Sequence, residues 1–113
     1  MPELTLAQVY RRAAEVLDER GWHQGWYVDA KRCKVCILGA VICALGGQPQ
    51  PETDTPAIDW ADQQEDERFH EIWDDLRARL GQHPPTWNDR MGRTVVEVKA
   101  ALLRAAEEAE RRG

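Results

Sequence analysis

No stretch of this 113-residue sequence approaches the roughly 20 consecutive apolar residues that a membrane-spanning helix needs. The longest apolar run, residues 35–45, has 11. The opening residues Met1-Pro2-Glu3-Leu4-Thr5 contain no basic region followed by an apolar one. A cytoplasmic chain without a leader is therefore expected. Positive charge is in deficit. Fifteen Lys and Arg against 20 Asp and Glu give a net charge of -5, which argues against a generic nucleic-acid binder. Cysteine is scarce and odd in number, with Cys33, Cys36 and Cys43 only. Without an export signal, reduced thiols are expected and a disulfide framework is not. No internal repeat and no low-complexity segment is found.

These absences leave a soluble globular chain, 42% hydrophobic and 31% charged. Its length fits one domain, residues 1–113, with a core that needs neither metals nor disulfides. The first helix is signposted by Thr5 and Gln8, which form a capping box. Leu4 and Val9 stand where a hydrophobic staple would. Leu6, Val9, Tyr10, Ala13, Val16 and Leu17 then follow the helical period, and Gly21 supplies the stop. Residues 22–35 contain Trp26, Tyr27, Val28, Cys33 and Val35, which favour extended structure, so a short β-hairpin is a candidate there. Residues 36–45 are apolar around the whole circumference, which predicts a second helix buried on all sides.

Residues 46–57, with Pro49, Pro51 and Pro56, read as a linker. Between residues 52 and 67 there are seven acidic residues and no basic one, the pattern of a solvated face. A third helix is expected to begin near Ile58 or Asp59. Its apolar face is Phe69, Ile72, Trp73, Leu76 and Leu80, and Gly81 ends it. Pro84 and Pro85 argue against helix in residues 82–93. Thr94 and Glu97 form a second capping box, and Val95, Val98, Ala101, Leu102, Ala105 and Ala109 make the stripe of a last helix. The expected fold is all-α, a four-helix up-down-up-down bundle.

That topology brings residues 21–36 and 81–93 to one end, together with the N-termini of the second and last helices. The two segments carry Lys31, Arg32, Lys34, Arg90 and Arg93 against Asp29 and Asp89. Their net charge is +3, while the remainder of the chain is at -8. This end is thus the candidate site for a protein or a small anionic ligand. Trp22, Gln24, Lys34, Trp87, Asn88, Asp89 and Arg93 are its candidate contacts. In a structural reading of the same residues, Trp87 plugs the bundle end and Asn88 and Asp89 satisfy backbone amides through an Asx turn.

Two chemical alternatives attach to the cysteines. Cys36 stands at a helix start, where a thiol pKa is lowered. With His83 as base and Asp89 to orient it, Cys36 would be the nucleophile of a hydrolase or transferase. Cys33 and Cys36 also form a C-x-x-C, half of a zinc site. No second cysteine pair completes it, so no metal and no cofactor is expected. The Ala-rich last helix leaves a homodimer open.

Trp22-His23-Gln24-Gly25, Cys36-Ile37-Leu38-Gly39-Ala40, Trp87-Asn88-Asp89 and Arg93-Thr94 with Glu97-Val98 together resemble an uncharacterised family of small proteins from actinobacteria and their phages. The resemblance extends from about Val9 to Ala106. It implies that Gln24, Cys36, Gly39, Trp87, Asn88 and Asp89 belong to the family pattern. Cys33 lies outside that pattern and His23 falls at a variable place in it. The family has no established activity, so the resemblance assigns no catalytic role to any residue. The function expected is that of a small binding or regulatory protein.

Overall fold

A computed structural model describes residues 4–112. Residues 1–3, read above for a leader, and residue 113 lie outside it. The described residues form five helices and one two-stranded hairpin: α1 (Leu6–Arg20), α2 (Ile37–Ala44), β1 (Gln48–Pro49), β2 (Ile58–Asp59), α3 (Gln63–Leu80), α4 (Pro84–Asn88) and α5 (Val95–Arg112). The fold is mainly helical, as expected, but has one helix more than the four anticipated and a hairpin in a different place. No helix among the described residues is long and apolar enough to cross a membrane.

The helix ends follow their sequence signals. The Gln8 amide donates to Thr5 Oγ1 at 3.1 Å, and the Thr5 amide donates to Gln8 Oε1 at 2.8 Å. Thr94 and Glu97 repeat the reciprocal arrangement before α5. Asp62 caps α3 by accepting from the Gln64 amide, and Gly81 closes it in the left-handed conformation. The helix begins at Gln63, not at residue 58 or 59, because Ile58 and Asp59 pair with Gln48 and Pro49. The segment read as a linker thereby folds back as a cover over α2.

Residues 22–35 form no hairpin. Val35 instead makes isolated bridges to Trp22 and to Val28. Pro84 and Pro85 do not prevent helix either; they are the first residues of α4. The amides at a helix start have no intrahelical acceptor, so proline forfeits nothing there and its fixed φ favours the turn.

The core is built around α2. Ile37, Leu38, Ala40, Val41 and Ile42 are fully buried, surrounded by α1, α3, α4 and β1. Its all-round apolar sequence therefore has an all-round cause. Tyr10 and Leu17 of α1, Leu76 of α3 and Leu102 of α5 complete the centre. Gly39 marks the tightest crossing. A Cβ built at that position would lie 2.0 Å from Tyr27 O and 3.0 Å from Val35 Cβ. Only glycine lets the 22–35 segment pass this close to α2.

Candidate functional site

The residues singled out at one end of the fold do converge, and Asn88 is their centre. It stands at the last position of α4, and it is the sole fully buried polar residue among the described residues. Its Oδ1 accepts from Trp22 Nε1 at 2.8 Å and from the Ile37 amide at 3.0 Å. Its Nδ2 donates to His23 O at 3.3 Å and to Asp89 Oδ1 at 2.9 Å. All four hydrogen-bonding sites of the carboxamide are thus filled from within the chain.

The neighbours extend this network. Gln24 Nε2 donates to Asn88 O at 3.2 Å and to Arg90 O at 2.8 Å. Asp89 Oδ1 also accepts from the Gly25 amide at 2.8 Å. Arg93 Nε donates to Trp87 O at 2.9 Å, and its guanidinium carbon lies 3.9 Å from the centre of the Trp87 ring. Its Nη1 reaches Glu97 at 3.1 Å. Trp87 is half-buried against the core with Arg93 on its outer face, as a plug would be. Of the buried side-chain nitrogens and oxygens among the described residues, His23 Nε2 alone has no partner.

Asn88 and Asp89 satisfy amides, but those of Ile37 and Gly25, more than fifty residues away along the chain. They act as cross-links between loops and form no local Asx turn. The α2 N-terminus is closed as well. The Asn88 carboxamide oxygen occupies the place at the Ile37 amide that an anion would take, and Cys36 Sγ accepts from the Gly39 amide at 3.4 Å.

The electrostatics of this end change accordingly. Arg32 pairs with Asp54 at 2.6 Å and Arg93 with Glu97. Lys34 is exposed, and its stem lies over Gly21. Lys31, Lys34 and Arg90 are the exposed basic side chains here that make no ion pair among the described residues.

The proposed catalytic set has the wrong environment for its chemistry. Cys36 is 2% exposed, and burial pushes its thiol up to about 11. Desolvation of the thiolate outweighs the amide hydrogen bonds at the helix start. His83 is exposed, with its ring against Trp73. Asp89 is engaged with Gly25 and Asn88. No hydrogen bond joins Cys36, His83 and Asp89 among the described residues. The C-x-x-C is likewise divided, with Cys33 exposed and Cys36 buried.

This arrangement accounts for Gly39 as glycine at a backbone crossing and for Gln24, Asn88 and Asp89 as polar groups of one network. The chain belongs to the DUF6197 family. The model of this family of unknown function matches residues 1–108. No curated protein and no solved structure matches the chain. In this DUF6197 protein Trp22, Gln24, Gly39, Trp87, Asn88, Asp89 and Arg93 act on one another and on the segments they join.

Sequence reasoning missed a second polar cluster. The Tyr10 hydroxyl donates to Asp75, which also accepts from Arg79 Nε at 2.7 Å. Arg79 Nη1 reaches Glu108 at 3.1 Å, and the Arg79 guanidinium lies 5.8 Å from the Tyr10 ring centre. The cluster ties α1, α3 and α5 together. Burial and Asp75 push the Tyr10 phenol well above its ordinary range. Tyr10 sits on an apolar stripe, so its hydroxyl needed a partner, and the i, i+4 spacing of Asp75 and Arg79 offered one. Arg20 was missed too; it ties the 32–33 turn to α1 through Arg32 O and Cys33 O.

Proposed function

We propose that this protein is a small cytoplasmic binding protein, encoded by an actinobacterium or its phage, that engages an acidic segment of a partner protein. Its contact surface is the end of the fold where residues 21–36 meet residues 89–93. The observation that carries this reading is the division of labour at that end. The Asn88, Gln24 and Asp89 side chains are engaged within the chain and hold two loops together. Lys31, Lys34 and Arg90 remain exposed beside the network, and Met91 is 95% exposed. Methionine and arginine are enriched at protein interfaces, and a preorganised loop loses little entropy on binding. Binding is favoured over catalysis because the Cys36 thiol is buried and held protonated.

The test is a titration of isotopically labelled protein with a glutamate-rich peptide and, separately, with inorganic phosphate. The reading expects amide shifts from the peptide centred on residues 31–34 and 90–92. They should weaken with salt and disappear in the Lys31→Glu/Lys34→Glu/Arg90→Glu variant. No shifts with peptide, or shifts elsewhere, would overturn it. Equal shifts with phosphate alone would replace the protein partner by a small anion.

A further inference from the structure

The basic turn at the proposed contact surface already holds a carboxylate of its own chain. Residues 31–34 read Lys-Arg-Cys-Lys, and Glu52 and Asp54 open the acidic stretch of residues 52–67. The fold brings the two segments together, and Arg32 Nη2 donates to Asp54 Oδ2 at 2.6 Å. Among the described residues this is the only hydrogen bond that joins residues 51–56 to the rest of the fold. The base of the loop is fixed separately. The Gln50 amide donates to Ala57 O at 2.8 Å, Trp26 Nε1 donates to Gln50 O at 2.9 Å, and Pro51 is buried. We propose that the Arg32–Asp54 pair is an autoinhibitory latch, in which residues 52–56 withhold Arg32 from the acidic segment of a partner protein. The latch rests on the acidic-partner reading of this end, and sets what such a partner must displace.

The two halves of the latch are held differently. Arg32 stands at φ +60°, a left-handed conformation that is strained for a residue other than glycine and persists where its surroundings hold it. Arg20 does so, donating to Arg32 O at 2.7 Å and to Cys33 O at 2.9 Å. The Arg32 and Cys33 amides donate in turn to Asp29 O and Asp29 Oδ1. The Asp54 side has only local ties, from its amide to Pro51 O and from Thr53 Oγ1 to its carboxylate. A cleft of about 420 Å³ runs between Glu52 and Thr53 on one side and His23, Trp26 and Asp29 on the other. The loop thus meets the surface at its base and at the latch, with a gap between. The paired side chains are 62% and 36% exposed, and an exposed ion pair is weak. An acidic segment that also engages Lys31 and Lys34 sets several carboxylates against the single one of Asp54. Opening the latch adds Arg32 between those two lysines, and a guanidinium can take a carboxylate through two parallel hydrogen bonds.

Titration with the glutamate-rich peptide at low salt, read by amide shifts, tests the latch. In the unsubstituted protein the peptide should move the Thr53 and Asp54 amides together with those of residues 31–34, although an acidic loop does not itself attract an acidic peptide. Asp54→Asn should tighten peptide binding about two- to fivefold, the range that an exposed ion pair can withhold. In an Arg32→Gln background the same substitution should change nothing, since the cycle isolates the pair from the general loss of one negative charge. Glu107→Gln should change nothing either; it removes an exposed carboxylate of α5 that makes no ion pair among the described residues. Circular dichroism would verify that every variant keeps the fold. Equal affinity with and without Asp54→Asn would overturn the latch and leave the acidic-partner reading standing. So would the same gain in the Arg32→Gln background or with Glu107→Gln, or unmoved Thr53 and Asp54 amides in the bound protein. No binding by either the unsubstituted protein or Asp54→Asn would overturn both.

Discussion

Replacing Asn88 with alanine should lower stability sharply, and the size of the loss separates a structural network from a binding site. The substitution removes the acceptor of the Ile37 amide and of Trp22 Nε1, and the donor to His23 O. A buried donor left unsatisfied costs about 1–3 kcal/mol. The Ile37 amide incurs that cost in full, since Ile37 is wholly buried. Half-buried Trp22 incurs less, because water can reach it. With the lost packing of the side chain, the expected total is about 3 kcal/mol. A domain of this size has about 5–15 kcal/mol in all. At roughly 4 °C per kcal/mol, the melting temperature should fall by about 12 °C. Thermal melts followed by circular dichroism, with urea unfolding to verify an unchanged m-value, measure this directly. If Asn88 were held for a ligand, its removal from the free protein would be neutral or stabilising. A melting temperature within about 2 °C of the parent would therefore refute the structural account and restore Asn88 as a ligand contact.

Three further outcomes are expected. Gly39→Ala should cost at least about 3 kcal/mol, because the added methyl meets the Tyr27 carbonyl, a backbone atom that cannot swing away; a melt unchanged within error would refute the close crossing. Thiol labelling of the native protein should modify Cys33 rapidly, Cys43 slowly and Cys36 only on unfolding. Rapid native labelling of Cys36 would revive the nucleophile. Stability should also fall as pH rises from about 8.5, the ordinary thiol value, toward the folded Cys36 value of about 11. In that window the unfolded chain releases the thiol proton and the folded chain retains it, so unfolding is favoured, by up to about 1.4 kcal/mol per pH unit. Denaturation at pH 8 and pH 10 should show a loss that is smaller in Cys36→Ala by about 1–2 kcal/mol, and equal losses would refute a protonated buried thiol.

The parts of the fold written in the sequence are those fixed by local chemistry. The Thr5–Gln8 and Thr94–Glu97 boxes are made within four residues of chain, and both form as the spacing predicts. The apolar circumference of α2 calls for burial on every side, and it is found there except at the half-buried Cys43. The segments that depart from expectation are those decided by distant partners. Ile58 and Asp59 could begin a helix or join a strand, and Gln48 and Pro49 decide between the two. Residues 84–88 depart for a different reason. Proline breaks a helix from its interior, whereas at the first turn it starts one. At the candidate site, the convergence of Trp22, Gln24, Trp87, Asn88 and Asp89 was legible because two loops had to meet at one end. The direction in which those side chains act was not. A carboxamide that faces a ligand and one that faces the Ile37 amide have the same sequence.

This last point bears on where activity resides in such a protein. Gln24, Gly39, Trp87, Asn88 and Asp89 are each engaged in holding α2, α4 and the 22–35 segment in place. Cys36 belongs with them, as the N-cap of α2. Together these residues form a frame. Among the described residues, the one buried side-chain nitrogen or oxygen that the frame leaves without a partner is His23 Nε2. A single such atom falls short of the convergent polar groups that define a substrate pocket. Beside the frame, Lys31, Lys34, Arg90 and Met91 are exposed at the same end of the fold. Substitutions in the frame should act through stability, and substitutions at these exposed positions through binding. Measuring melting temperature and association for both sets decides between the two roles. Loss of binding at an unchanged melting temperature in Asn88→Ala would move the site back to the centre of the network.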